Sequence, residues 1–197
     1  MARDSASRPE AKRLRLFVAV EVPEEVRSAL AEAVAPLRER FPRARWVPEQ
    51  NQHVTVKFIG STYPRLVEWV TSAVGQVASA HEAFETRATD LGAFPSARRA
   101  RVLWAGLDDT DSRSAAIAGA LDEALAREFR VGKRPFTPHL TVARFDPSVE
   151  LDLGEVPFES EAFLVDRVVL FRSHLRRPAP VYEPLEAFSL GARSGRG

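Results

Sequence analysis

The chain has 197 residues, 45% hydrophobic and 28% charged, which suits one sizeable domain or two small lobes and excludes several domains. Its net charge of +1, from 28 basic and 27 acidic residues, excludes attachment to nucleic acid by bulk charge but allows an anion met by a local cluster. Cysteine is absent, which excludes disulfide scaffolds, thiol nucleophiles, Cys-ligated zinc and iron–sulfur clusters. No apolar run could span a bilayer and the polar N-terminus lacks the apolar core of a secretory signal, so the expected location is cytoplasmic.

Residues 1–12 and 191–197 read as disordered tails around one domain over 13–190. Residues 14–20 read as a strand, and a helix opens at Pro23 with Val26, Leu30, Ala33, Val34 and Leu37 at helical spacing. Pro36 falls inside that pattern and should kink or end it. A short strand over 44–47 and a longer one over 53–59 precede a helix over 64–81, with Leu66, Val70, Val74 and Val77 on one stripe. Strands over 84–91 and 101–107 lead to a third helix over 111–130, carrying Ile117, Leu121, Leu125 and Phe129. Strands over 139–145, 162–172 and 181–190 follow. Many strands joined by hairpins and few helices predict an α+β fold with antiparallel sheets.

One internal similarity stands out. Residues 53–58 read His-Val-Thr-Val-Lys-Phe and residues 139–145 read His-Leu-Thr-Val-Ala-Arg-Phe, so two of the four histidines begin the same pattern 86 positions apart. This implies a duplicated unit with its copies related by a pseudo-twofold axis. Side chains alternate along a strand, so His53 shares a face with Thr55, and His139 with Thr141, while Val54, Val56, Leu140 and Val142 face the other way. Two imidazoles and two hydroxyls facing one cleft suit phosphoryl transfer. One histidine can accept a proton and the other give one, and the hydroxyls can donate to the phosphate oxygens. The residues leave two other readings open: hydrogen-bonded structural histidines, or a metal site. Neither motif has a carboxylate or second histidine at ligand spacing, and no HExxH, P-loop or GxSxG pattern is present.

The paired HxTx motifs resemble the signature of the 2H phosphoesterase superfamily. The chain is most similar to its bacterial and archaeal branch, the RNA 2′,3′-cyclic phosphodiesterases also called LigT or ThpR and formerly 2′-5′ RNA ligases. The similarity runs through Arg15-Leu-Phe-Val-Ala-Val20, Phe94-Pro-Ser, Arg101-Val-Leu-Trp104, Leu170-Phe-Arg-Ser173 and Pro180-Val-Tyr-Glu-Pro-Leu185. It implies a bilobed α+β fold, two antiparallel sheets facing a central cleft with helices outside. It also implies His53 as proton donor to the leaving oxygen, His139 as the base that activates water, and Thr55 and Thr141 as holders of the phosphate. The implied reaction opens an RNA 2′,3′-cyclic phosphate end to a 2′-phosphomonoester, with reverse 2′-5′ ligation, and needs no cofactor, metal or ATP.

Arg144, five residues after His139, matches an arginine that the family pattern places at the phosphate. Strict alternation turns it away from His139, so it reaches the cleft only through a bulge. Phe58, five after His53, has the same parity; core packing is its expected role, with base stacking the alternative. Arg98, Arg99 and Arg101 are candidates for an RNA-binding rim, extended by Arg43, Arg45, Lys133 and Arg134, with a solvated charged turn as the rival account. Trp46 and Trp104 are expected in the core, and His81 and His174 at the surface. The expected partners are RNA ends bearing a cyclic phosphate or small cyclic nucleotides, with no membrane, no obligate protein partner and a monomeric state. Two other functions fit the same cleft: a 2H enzyme for a small cyclic phosphate such as an ADP-ribose derivative, and a non-catalytic RNA-end binder.

Overall fold

Five consecutive buried residues, 16–20, give the first strand two covered faces. Leu16, Val18 and Val20 enter the main core, while Phe17 and Ala19 join a separate small cluster with Val169 and Phe171. The computed structural model describes residues 12–132, 135–154 and 156–192 of the chain. Its elements run β1 Leu14–Glu21, α1 Glu24–Ala33, α2 Ala35–Arg40, β2 Arg45–Trp46, β3 His53–Thr62, α3 Val67–Ser79, β4 Phe84–Thr86 and β5 Ala88–Phe94. They continue with β6 Ala100–Leu107, α4 Arg113–Leu125, β7 His139–Val149, β8 Phe163–Val165, β9 Arg167–His174 and β10 Val181–Ser189.

The expected elements are present, with instructive differences. Pro36 sits in the first turn of α2, so the first helical stripe is two helices that meet at Val34. Residues 84–91 and 162–172 each divide, because β4 and β8 leave the main sheet to pair with one another while β5 and β9 stay in it. The third helix is shorter than its stripe, ending at Leu125. It starts where the Asp109 carboxylate accepts from the N–H groups of Ser114 and Ala115, at 2.7 and 3.0 Å, satisfying two donors that the first turn leaves free. Most of the tail residues lie outside those described. Gly191, placed in the C-terminal tail by its composition, is instead held: its N–H donates to the His81 carbonyl at 2.7 Å and its carbonyl accepts from Ala83 at 3.0 Å.

The large sheet is antiparallel throughout, in the order β10-β9-β1-β3-β7-β6-β5, with β2 added beside β7. Its two arms meet at β3 and β7, where Val54 and Leu140 are the paired residues. These arms are the two expected sheets. α3 packs against α4, and α4 against β3. Leu30, Leu103, Ile117, Leu121, Leu125, Leu140 and Leu170 are wholly buried between sheet and helices. β10 forms one outer edge, largely exposed, with Pro184 and Glu186 flanking an irregularity in its pairing with β9.

Gly92 on β5 lies under the Trp104 indole of β6, and a Cβ built there would come within 2.1 Å of the ring. Gly92→Ala therefore has to displace the indole. We expect it to destabilise the fold by about 1–3 kcal/mol, the usual penalty of overpacking, as read from urea unfolding followed by tryptophan fluorescence.

Candidate active site

The same irregularity occurs in both motif strands. Along β1 and β3, Ala19 pairs with Thr55 and Val18 with Lys57, which leaves Val56 as an extra residue. Along β6 and β7, Trp104 pairs with Thr141 and Leu103 with Ala143, which leaves Val142 as the extra one. Each bulge shifts the alternation by one residue, so the position five after each histidine returns to the histidine's face. Arg144 reaches the cleft by the bulge that its parity required. Phe58 does so as well: it is 69% exposed rather than in the core, and tilts against Phe17 at 6.1 Å. Lys57, between Val56 and Phe58, forms a part-buried ion pair with Asp122 of α4 and a 2.9 Å bond to the Arg130 carbonyl.

A cleft of about 1610 Å³ is lined by His53, Thr55, Phe58, His139, Thr141 and Arg144. The histidines are held alike. His53 Nδ1 lies 2.8 Å from the Asn51 carbonyl and His139 Nδ1 lies 2.7 Å from the Thr137 carbonyl. A carbonyl only accepts, so Nδ1 carries the proton in both rings and Nε2 of each is left for chemistry. Their surroundings differ. His53 stacks on Phe17 at 4.9 Å and meets Tyr182 edge-on at 5.1 Å. Burial among these rings lowers its pKa from 6.5 to about 4, against the smaller opposing effect of the Asn51 bond. His139 lies 5.3 Å from Phe94 and 6.0 Å from Trp104. Burial raises the Tyr182 hydroxyl above its ordinary range, opposed by the positive charges of Arg144 and Arg15.

The family described as LigT like Phosphoesterase matches residues 20–104 and 108–182. The chain belongs to this family. An RNA 2′,3′-cyclic phosphodiesterase of Thermus thermophilus is 33% identical over 193 residues, covering 93% of each chain. A protein of the same name from Geobacillus stearothermophilus is 29% identical over 94% of this chain, which spans 60% of that relative's length. The crystal structure of TT0787 from Thermus thermophilus superposes with a TM-score of 0.80 at 30% identity, covering 91% of this chain and all of that one.

In this LigT-like chain the arginines proposed for a rim are only partly brought to the cleft. Arg98, Arg99 and Arg101 are exposed at the turn into β6 and do not line the cleft. Arg45, expected to extend the rim, does line it, together with Arg176 and Arg177, which the sequence reading did not name. Arg45 arrives on β2, which pairs with β7 so that Arg45 lies opposite Arg144. Arg176 and Arg177 come from the β9–β10 connection, and adjacent arginines ahead of Pro178 between two strands were the available signal for them. Lys133 and Arg134 lie outside the described residues. Trp46, expected in the core, borders the cleft and donates its indole N–H to the Phe41 carbonyl at 3.1 Å. Trp104 is partly buried beside His139, His81 Nδ1 donates to the Val77 carbonyl at 2.8 Å, and His174 pairs with Glu183 at 2.6 Å. Among the described residues no helix is long and apolar enough to cross a membrane, and no group of three or more His, Cys, Asp or Glu is placed to hold a metal ion.

The depressed His53 pKa has a measurable sign. An unfolded chain takes up this proton near pH 6.5, and the native one only near pH 4. The stability contributed by neutral His53 is thus complete above pH 6.5 and is lost as pH falls towards 4. An NMR titration of the free protein should find the His53 ring neutral down to about pH 4.

Proposed function

We propose that this chain is an RNA 2′,3′-cyclic phosphodiesterase working by metal-independent acid–base catalysis between its two histidines. The observation that carries the reading is the matched pair of imidazoles on one cleft, each with Nδ1 tied to a carbonyl two residues earlier and Nε2 left for proton transfer. The names of the curated relatives point to the same substrate.

His139 Nε2 takes a proton from water as the water oxygen bonds to phosphorus. The bond from phosphorus to O3′ breaks, and protonated His53 Nε2 gives its proton to that oxygen. The product is a 2′-phosphomonoester with a free 3′-hydroxyl. An RNA 5′-hydroxyl in place of water gives a 2′-5′ linkage by the same displacement. Thr55 and Thr141 donate to the non-bridging oxygens, and Arg144 compensates the charge that gathers there. Phe58 offers a ring to a base, and Arg45, Arg176 and Arg177 meet the upstream phosphates.

His53 is neutral in the free protein at pH 7. In this mechanism the anionic phosphate must charge it, since an adjacent negative charge favours the imidazolium. Substrate binding and proton uptake are therefore coupled. The alkaline limb of kcat, which reports the complex, should lie at higher pH than that of kcat/KM, which reports the free enzyme. Coincident limbs would count against His53 as the acid.

The direct test is to incubate the protein in EDTA, without ATP, with a short RNA ending in a 2′,3′-cyclic phosphate and to follow phosphorus by NMR. We expect conversion to the 2′-phosphomonoester. His53→Ala and His139→Ala should each lower turnover by about 10²–10⁴-fold. An unchanged cyclic phosphate with folded protein would overturn the reading. Activity that is lost in EDTA and rescued by a divalent ion would overturn its metal independence.

A further inference from the structure

The connection between β9 and β10, residues 175–180, carries Arg176 and Arg177, both exposed and both lining the cleft. The strand ladder stops short of it, with His174 and Val181 as the last pair. Beyond that pair nothing in the ladder fixes where the arginines stand, and such exposed connections are the readily displaced parts of a fold. One tie holds this one. Asn51 Nδ2 donates to the Pro180 carbonyl at 2.9 Å, joining positions 129 apart in the chain. Among the described residues it is the one side-chain hydrogen bond that reaches the connection.

Asn51 is also the residue that orients His53. Its carbonyl accepts from His53 Nδ1 at 2.8 Å. Its own N–H donates to the Pro48 carbonyl at 2.8 Å, closing the short turn Glu49–Asn51 ahead of β3. The backbone of one residue therefore holds the imidazole, and its side chain holds the segment that bears the arginines. The separation between His53 and that segment is set before any ligand arrives. In RNA the separation between a terminal cyclic phosphate and the phosphates upstream is set by the sugar–phosphate repeat. Interactions remote from the reacting atoms speed a reaction when they place those atoms correctly. An unanchored connection would lose that benefit to its own ordering.

We propose that Asn51 is a positioning residue for substrate length: its side chain fixes the β9–β10 connection against the turn that holds His53, so that an RNA reaching Arg176 and Arg177 is hydrolysed faster than a mononucleotide. This rests on the cyclic-phosphodiesterase reading and deepens it. The mononucleotide has no upstream phosphate to meet the arginines, so it gains nothing from the tie.

The test compares kcat/KM for a short RNA ending in a 2′,3′-cyclic phosphate with that for cytidine 2′,3′-cyclic phosphate. The wild-type protein should favour the RNA, and replacing Arg176 and Arg177 together by alanine should remove that advantage. Asn51→Leu, similar in shape but without the donor, should lower kcat/KM about tenfold further for the RNA than for the mononucleotide, the fold-change of one lost hydrogen bond. Equal losses on the two substrates would make Asn51 a support for His53 alone and overturn the inference. Wild-type protein that treats the two alike, or an advantage that survives without the arginines, overturns it too. Wild-type protein inactive on both defeats the parent reading instead. A second measurement covers a variant that does not fold: in NMR spectra of the wild-type protein, the Asn51 side-chain amide signals should move further with a short RNA ending in a 2′-phosphate than with cytidine 2′-phosphate. Equal movement, or none, overturns the inference as well.

Discussion

The site depends on the position of one extra residue in each of two strands. Val56 and Val142 are 86 positions apart, the same interval that separates His53 from His139 and Thr55 from Thr141. A plain strand would bring histidine and threonine to the cleft and send the fifth position to the core. The bulge returns that position to the cleft after the threonine, so each motif presents three side chains to the same side. It also turns Lys57 to Asp122, which ties β3 to α4 at the border of the same cleft.

The repeated geometry holds two histidines in unlike surroundings. Both rings have the same tautomer, fixed by carbonyls two residues earlier. Around His53 the arm of β1 and β9 supplies Phe17 and Phe171, with Tyr182 from β10, and this cluster withholds a proton from the ring. On the other arm the neighbours are Phe94 and Trp104. In the free protein this burial holds His53 neutral, so the acid role proposed for it requires the bound phosphate to charge the ring.

Much of this was legible in the sequence, for physical reasons. The HxTx repeat announced two strands with a polar face, and period-two alternation put His53, Thr55, His139 and Thr141 on that face, where they line the cleft. The helical stripes located α3 and α4 because Val70, Val74, Ile117 and Leu121 are buried where their spacing puts them. Bulges leave no comparable mark. The extra residues are valines, indistinguishable from their strand neighbours, so the exposure of Phe58 could not be read from parity. Arg98, Arg99 and Arg101 were read towards the cleft, and Arg176 and Arg177 passed over, for a related reason. Arg98, Arg99 and Arg101 form a conspicuous cluster, but closeness in sequence says nothing about which side of a hairpin faces the cleft. Arg45, named beside them as a candidate, does reach it, because β2 crosses to pair with β7.

The outer strand β10 has a consequence for how the protein behaves in company. An eight-stranded sheet with an open, arginine-lined cleft offers a long unpaired rim to any extended chain nearby. β10 meets that hazard with Pro184, which has no N–H to offer, and with Glu186 on an exposed strand whose register breaks between Pro184 and Glu186. An incoming strand would find a gap in the ladder of donors and an unfavourable charge. The β10 edge is thereby a poor template for pairing with another strand.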